Sequence, residues 1–171
     1  MGAMPDEQDH WEAAQEGADR LAEGDTAGAI AELTALLARQ PDNAEAYFFL
    51  GCAWYEAHDY PQALRAYVGA LELVPEHLGA RIHAGHSLRM LGRYNEAIRM
   101  GKQILAQNQH DPDALYLMGA SHFARGDNAR ATELLNHFLQ TRPEPEVALE
   151  VEGMLQVLRG QVQAQHEEND N

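Results

Sequence analysis

In the stretch AEAYFFLGCAWYEAHDYPQALRAYVGALELVP, residues 44–75, apolar side chains recur every three or four positions in two runs, interrupted by a short polar step at His58-Asp59. That spacing predicts two amphipathic helices joined by a tight turn. Tyr47, Leu50, Gly51 and Trp54 share one face of the first, and Ala63, Leu64, Tyr67 and Ala70 share one face of the second. The pattern is periodic. Gly17, Gly51, Gly85 and Gly119 stand 34 residues apart, and the same shift aligns Ala29, Ala63, Ala97 and Ala131. A third column holds Pro41, Pro75 and Pro143, with Gln109 in the remaining place, and a fourth holds Gly24, Gly92 and Gly126, with His58 substituting. Columns that agree in one register predict an antiparallel helix pair copied four times.

The columns have mechanical reasons. Gly and Ala belong where two helix backbones approach closely, while the aromatic and Leu positions fill the remaining volume. Asp25, Asp59 and Asp127 can cap the second helix of their pairs, and Asp111 can cap a helix that has Pro112 at its first position, where a missing N–H costs nothing. Pro75 stops a helix.

These residues and this spacing, with the large-Leu-Gly-x-x-aromatic pattern, the two Ala, the aromatic and the Pro of residues 47–75, resemble the tetratricopeptide repeat family. The resemblance spans four repeats, 10–43, 44–77, 78–111 and 112–145, and implies an all-α solenoid of stacked antiparallel helix pairs with a concave groove. Pentatricopeptide repeats, an RNA-binding relative, fit the period and the acidic balance less well. Two departures fall in the third repeat, where Arg81 replaces a bulky apolar residue and Gly101 stands in the column of Tyr67, so looser packing is expected there. After Pro145, a stripe of Val147, Val151, Met154, Leu155, Leu158 and Val162 predicts an amphipathic capping helix over 146–163. Residues 1–9, with Met1-Gly2-Ala3-Met4 reading as an expression scar, and the acidic tail 164–171 are expected to be mobile.

In the family the first helix of every repeat lines the concave wall, and its groove positions carry over here to Trp11 in the first repeat and to Phe48, Phe49, Cys52 and Tyr55 in the second. The third contributes Ile82, His83, His86 and Arg89, and the fourth Tyr116, Leu117 and Phe123. A short helix whose core-facing side is already taken by Tyr47, Leu50 and Trp54 cannot bury Phe48, Phe49 and Tyr55 as well, so this wall is expected to be covered by a ligand. One branch of the family holds a terminal carboxylate with a clamp of Lys, Asn and Arg. Here those positions carry Ala14, Ala18, Phe49, Gly79 and His83, so the clamp is absent and an apolar peptide or helix segment is the expected partner.

Charge narrows the partner further. The net charge of −15 disfavours nucleic acid and anionic membrane surfaces, and no apolar run is long enough to span a bilayer. Residues 78–111 run against this trend at +3, so Arg89 is expected to receive an acidic residue on the partner, with His83 and His86 weakening binding as pH rises. His83, His86 and Cys52 could approach one another as metal ligands, but no CxxC or HExxH accompanies them, and neither metal nor other cofactor is expected. No phosphate loop, nucleophile elbow or inward carboxylate pair appears, so no catalytic residues are assigned and no enzymatic activity is expected. The lone Cys52 favours a reducing, cytoplasmic location, with the periplasm open if a leader has been removed. The expected function is a protein-interaction module, an adaptor, scaffold or chaperone. The alternative is a self-assembling scaffold, a homo-oligomer whose groove accepts a terminal helix of another subunit.

Overall fold

A computed structural model describes the backbone of residues 7–169 and the side chains of residues 10–160. Among these residues the chain is all helix: α1 (Glu7–Ala22), α2 (Thr26–Arg39), α3 (Ala44–Glu56), α4 (Tyr60–Leu73), α5 (Leu78–Met90), α6 (Tyr94–Gln107), α7 (Pro112–Arg125), α8 (Asn128–Gln140) and α9 (Pro145–Asn169). They are the helix pairs of a tetratricopeptide-like repeat array followed by one further helix. The chain divides into two compact units, Met1–Gly92 and Arg93–Asn171.

The turns show why the fourth sequence column exists. Gly24, Gly92 and Gly126 have φ of 83°, 73° and 80°, and His58 adopts the same left-handed conformation at 59°. Each ends the first helix of a pair, where a left-handed residue reverses the chain and where glycine carries no Cβ penalty. The second helix then starts on a cap. Asp25 accepts from the Gly28 N–H at 2.9 Å and Asp59 from the Gln62 N–H at 3.1 Å. Asp111 caps α7 through the Ala114 N–H at 3.0 Å. Asp127 departs from expectation. It occupies the N-cap position of α8 without a side-chain cap bond, and its carboxylate accepts from Arg125 at 3.1 Å and lies 2.9 Å from His122 Nδ1.

Small residues decide how each pair closes. A Cβ added to Gly51 would lie 2.5 Å from the Tyr67 ring, and one added to Gly69 would lie 2.8 Å from Tyr47, so the contact partners run in opposite directions along α3 and α4. That is an antiparallel pair held at glycine distance. Leu33 fills the same place against Gly17, and Leu135 against Gly119. In the third repeat, where Gly101 replaces the large residue, Met118 of α7 reaches within 2.4 Å of where a Cβ would stand, so the vacancy expected there is filled from the next helix. Arg81, expected to loosen the same repeat, is folded back onto the Pro75 carbonyl and the Glu76 carboxylate.

The core of the first unit joins Ala14, Ala29, Leu33, Leu36, Ala46, Leu50, Ala53 and Ala66. That of the second joins Leu115, Ala131, Leu135 and Phe138 to Val151, Leu155 and Leu158 of α9. The terminal segments differ from expectation in extent. The helix begins at Glu7, inside the segment expected to be mobile, and α9 runs to Asn169, past the expected end at 163, because no Gly or Pro follows Gly160 to stop it. Residues 1–6 and 170–171 lie outside the described residues, as does the Val162 side chain.

Candidate functional site

The first unit carries a row of rings across three helices. α3 packs against both α1 and α5. Trp11 of α1 meets Phe49 of α3 at 5.4 Å between ring centroids, Phe49 meets Phe48 at 5.3 Å, and Phe48 meets His83 of α5 at 5.7 Å. These are tilted and edge-on arrangements of the kind aromatic quadrupoles favour. The row is open at one end: Trp11 is 47% exposed, and Phe48, Phe49 and His83 are half-buried.

Beneath the row lies Tyr67 of α4, fully buried, 6.1 Å from Phe48 and stacked on His83 at 5.6 Å. Its hydroxyl sits beside Cys52, and burial, before any neighbouring charge, raises the pKa of both phenol and thiol. Burial thus favours the thiol form of Cys52 over the thiolate. His77 closes the row on the other side, 4.8 Å from Phe48. Its Nδ1 accepts from the Ala80 N–H at 3.1 Å and caps α5, which leaves Nε2 turned toward Glu45 at 3.5 Å. His77 and Tyr67 were not among the candidates from sequence. His77 reads as a turn residue and Tyr67 as core, and the stacking of α3, α4 and α5 sets His77 beside the wall and keeps Tyr67 in the core beneath it.

At the C-terminal end of these helices, Tyr55 packs edge-on against Tyr60 at 5.2 Å and feels the charge of Arg89. His86 is nearby. Burial, then Arg89 and His83, lower its pKa to about 4. The expectation that His86 would make binding weaken as pH rises is therefore corrected, because the ring is neutral across the physiological range. Among the described residues no three His, Cys, Asp or Glu side chains come together in a way that could hold a metal.

Not every expected wall residue reaches the surface. Ile82 is 9% exposed and Leu117 is fully buried, so both are corrected from groove residues to core residues. In the second unit, Tyr116 is half-buried 5.5 Å from Phe138, and its hydroxyl donates to Glu150 Oε1 of α9 at 2.8 Å. Phe123 is half-buried against the same core. These three candidates do not form a row like that of the first unit.

Models of the tetratricopeptide repeat match residues 15–77, 51–112 and 88–150. The chain belongs to the tetratricopeptide repeat family. Among curated proteins, mouse Superkiller complex protein 3 is 28% identical over 116 residues, which is 68% of this chain and 7% of that protein. The chain thus spans less than a tenth of the length of the curated relatives it matches. Among solved structures, MamA from Desulfovibrio magneticus, residues 41 to the end, superposes with a TM-score of 0.72 at 19% identity, covering 99% of this chain and 100% of that one. The second tetratricopeptide domain of human RPAP3, solved with an HSP70 peptide, superposes with a TM-score of 0.62 at 20% identity over 68% of this chain and 98% of that domain. At these identities the likeness is one of fold.

Proposed function

We propose that the protein is a non-enzymatic interaction module, an adaptor, scaffold or chaperone, which holds an apolar peptide or helix segment of a partner against the ring row of α1, α3 and α5. The observation that carries this reading is Trp11. It is the only large aromatic among the exposed large hydrophobic side chains of the described residues, and it continues a row whose other members are already in ring contact. A core needs no such edge. An exposed aromatic beside a preformed aromatic surface is what an anchoring site for an apolar side chain requires. The RPAP3 domain shows that this fold can hold a peptide. The absence here of the Lys, Asn and Arg clamp points to apolar contacts rather than to capture of a terminal carboxylate, and an acidic residue on the bound segment would lie toward Arg89.

The test is selection of peptides from a displayed random library on the immobilised protein, followed by titration of the selected sequences. Trp11→Ala is expected to weaken binding by at least about tenfold while leaving the circular dichroism spectrum unchanged. Selected peptides that bind Trp11→Ala as tightly as the parent would place the site elsewhere and overturn the reading.

A further inference from the structure

The register continues past the four pairs. Gly153 stands 34 residues after Gly119, and Leu149 stands 34 after Leu115. In earlier pairs the second helix fills the space before these positions: a Cβ on Gly17, Gly51 or Gly119 would lie 2.4–2.6 Å from Leu33, Tyr67 or Leu135, and Leu115 is only 1% exposed. Among the described residues, nothing fills it on α9. Among the described residues, no atom beyond the helix's own nearby backbone and the adjoining residues lies within 4 Å of a Cβ at Gly153 or Gly160, and Leu149 is 68% and Val157 50% exposed. α9 is thus the first helix of a fifth pair, seated on its unit by Val151, Leu155 and Leu158, with the face that a second helix would cover left bare.

The chemistry of that face selects what covers it. Helical spacing puts Leu149, Gly153, Gln156 and Gly160 along the back of α9, opposite Val151 and Leu158. Glu152 and Arg159, seven residues apart, lie together on one flank and line an open cleft of about 400 Å³ with Asn136 and Leu139 of α8. Opposite charges two turns apart on one flank complement themselves when the helix is met by its own reversed copy. We infer that the bare face of α9 is an isologous contact, covered by α9 of a second copy of this chain running antiparallel.

With the twofold axis midway between Gly153 and Gln156, Glu152 and the partner's Arg159 lie about 3 Å apart along the helix axes, within reach of these long side chains, and so do Arg159 and the partner's Glu152. Leu149 lies over the partner's Gly160, where the missing side chain lets the two backbones approach. Each contact occurs twice, as a twofold axis between Gly153 and Gln156 demands. A parallel twofold copy would carry this flank to the opposite side of the contact, so Glu152 and Arg159 would not meet their counterparts. The contact uses no residue of the aromatic row, so it does not rest on the peptide-binding reading.

Sedimentation equilibrium of the full chain over a wide concentration range tests the inference. The mass is expected to rise from one chain to two. Leu149→Glu, at an exposed site, is expected to weaken the dimer roughly a hundredfold or more, since two leucines leave the contact. Glu152→Arg or Arg159→Glu alone is expected to weaken it about tenfold. The double reversal, Glu152→Arg with Arg159→Glu, restores the pairing. Circular dichroism of each variant confirms that the helices are retained. A single-chain mass at every concentration, as when a helix of some other protein is the natural cover, overturns the inference. So does a dimer indifferent to Leu149→Glu, or a double reversal no tighter than either single change.

Discussion

The two compact units use the same repeat columns and finish them differently. Phe48 and Tyr116 share one column. In the first unit Phe48 sits within a ring row that ends at an exposed Trp11. In the second, Tyr116 is turned to its own core and tied by its hydroxyl to Glu150 of α9. Phe49 and Leu117 also share a column, yet Phe49 is half-buried in the row while Leu117 has no exposure at all. A repeat column therefore fixes the direction in which a side chain leaves its helix. Whether that side chain meets solvent depends on the size of its neighbours and on which helix is stacked next.

The contrast can be tested by changes that act on one unit at a time, and both tryptophans, Trp11 and Trp54, belong to the first. Tryptophan fluorescence thus reports that unit, and circular dichroism the whole chain. The largest effect is expected from Tyr67→Ala, which removes a fully buried ring supporting Phe48 and His83. It should cost about 3–5 kcal/mol and lower the urea midpoint seen by fluorescence.

Acid comes next. His86 has a folded pKa of about 4, below its ordinary 6.5, so the stability it contributes is complete above about pH 6.5 and is lost as pH falls toward 4. The loss is roughly 3 kcal/mol in the first unit. Burial lowers the pKa of His122 as well, opposed by Asp127, so the second unit should soften in acid with the same sign and less steeply. Fluorescence-detected urea unfolding at pH 7 and pH 4.5 measures the first effect, and His86→Gln should flatten it.

The glycine column separates a filled position from a bare one. Gly51→Ala pushes a methyl into the Tyr67 ring and should destabilise the chain by about 1–3 kcal/mol. Gly153→Ala meets nothing and should stabilise it by up to about 1 kcal/mol through helix propensity. A common effect of both substitutions would abolish the distinction drawn between these positions. The smallest effect belongs to Tyr116→Phe, which loses the exposed hydrogen bond to Glu150 and should cost about 0.5–1 kcal/mol in a thermal melt followed by circular dichroism.

Much of the fold was legible in the residues because its devices are local. The left-handed turn at Gly24, Gly92, Gly126 and His58, the Asp caps, and the paired Gly and large residue sixteen positions on each depend on a few neighbouring side chains. The candidate wall was legible in direction and less so in exposure. Ile82 and Leu117 lie on the expected helices at the expected spacing and are nevertheless buried, since burial is settled by residues distant in sequence. His77 was missed for the converse reason, having a familiar local role at a turn, whereas Tyr67, read as core, is core. The continuation of the 34-residue register to Leu149 and Gly153 was there to be read. It was masked by the polar residues between them, which make the last helix look like a solvated cap.

What the order of residues settles is the period, the pairing of helices, the sites where they turn, and the membership of the ring row on α1 and α3. These follow from backbone preference and from volume matched across one tight turn. The stacking of helices settles the rest: that Tyr67 lies beneath the row and His77 beside it, that Met118 fills the space at Gly101, that His86 is held neutral, and that among the described residues one face of α9 is bare. Each of these depends on which side chains and how little water surround a group, and that is a property of the packed molecule.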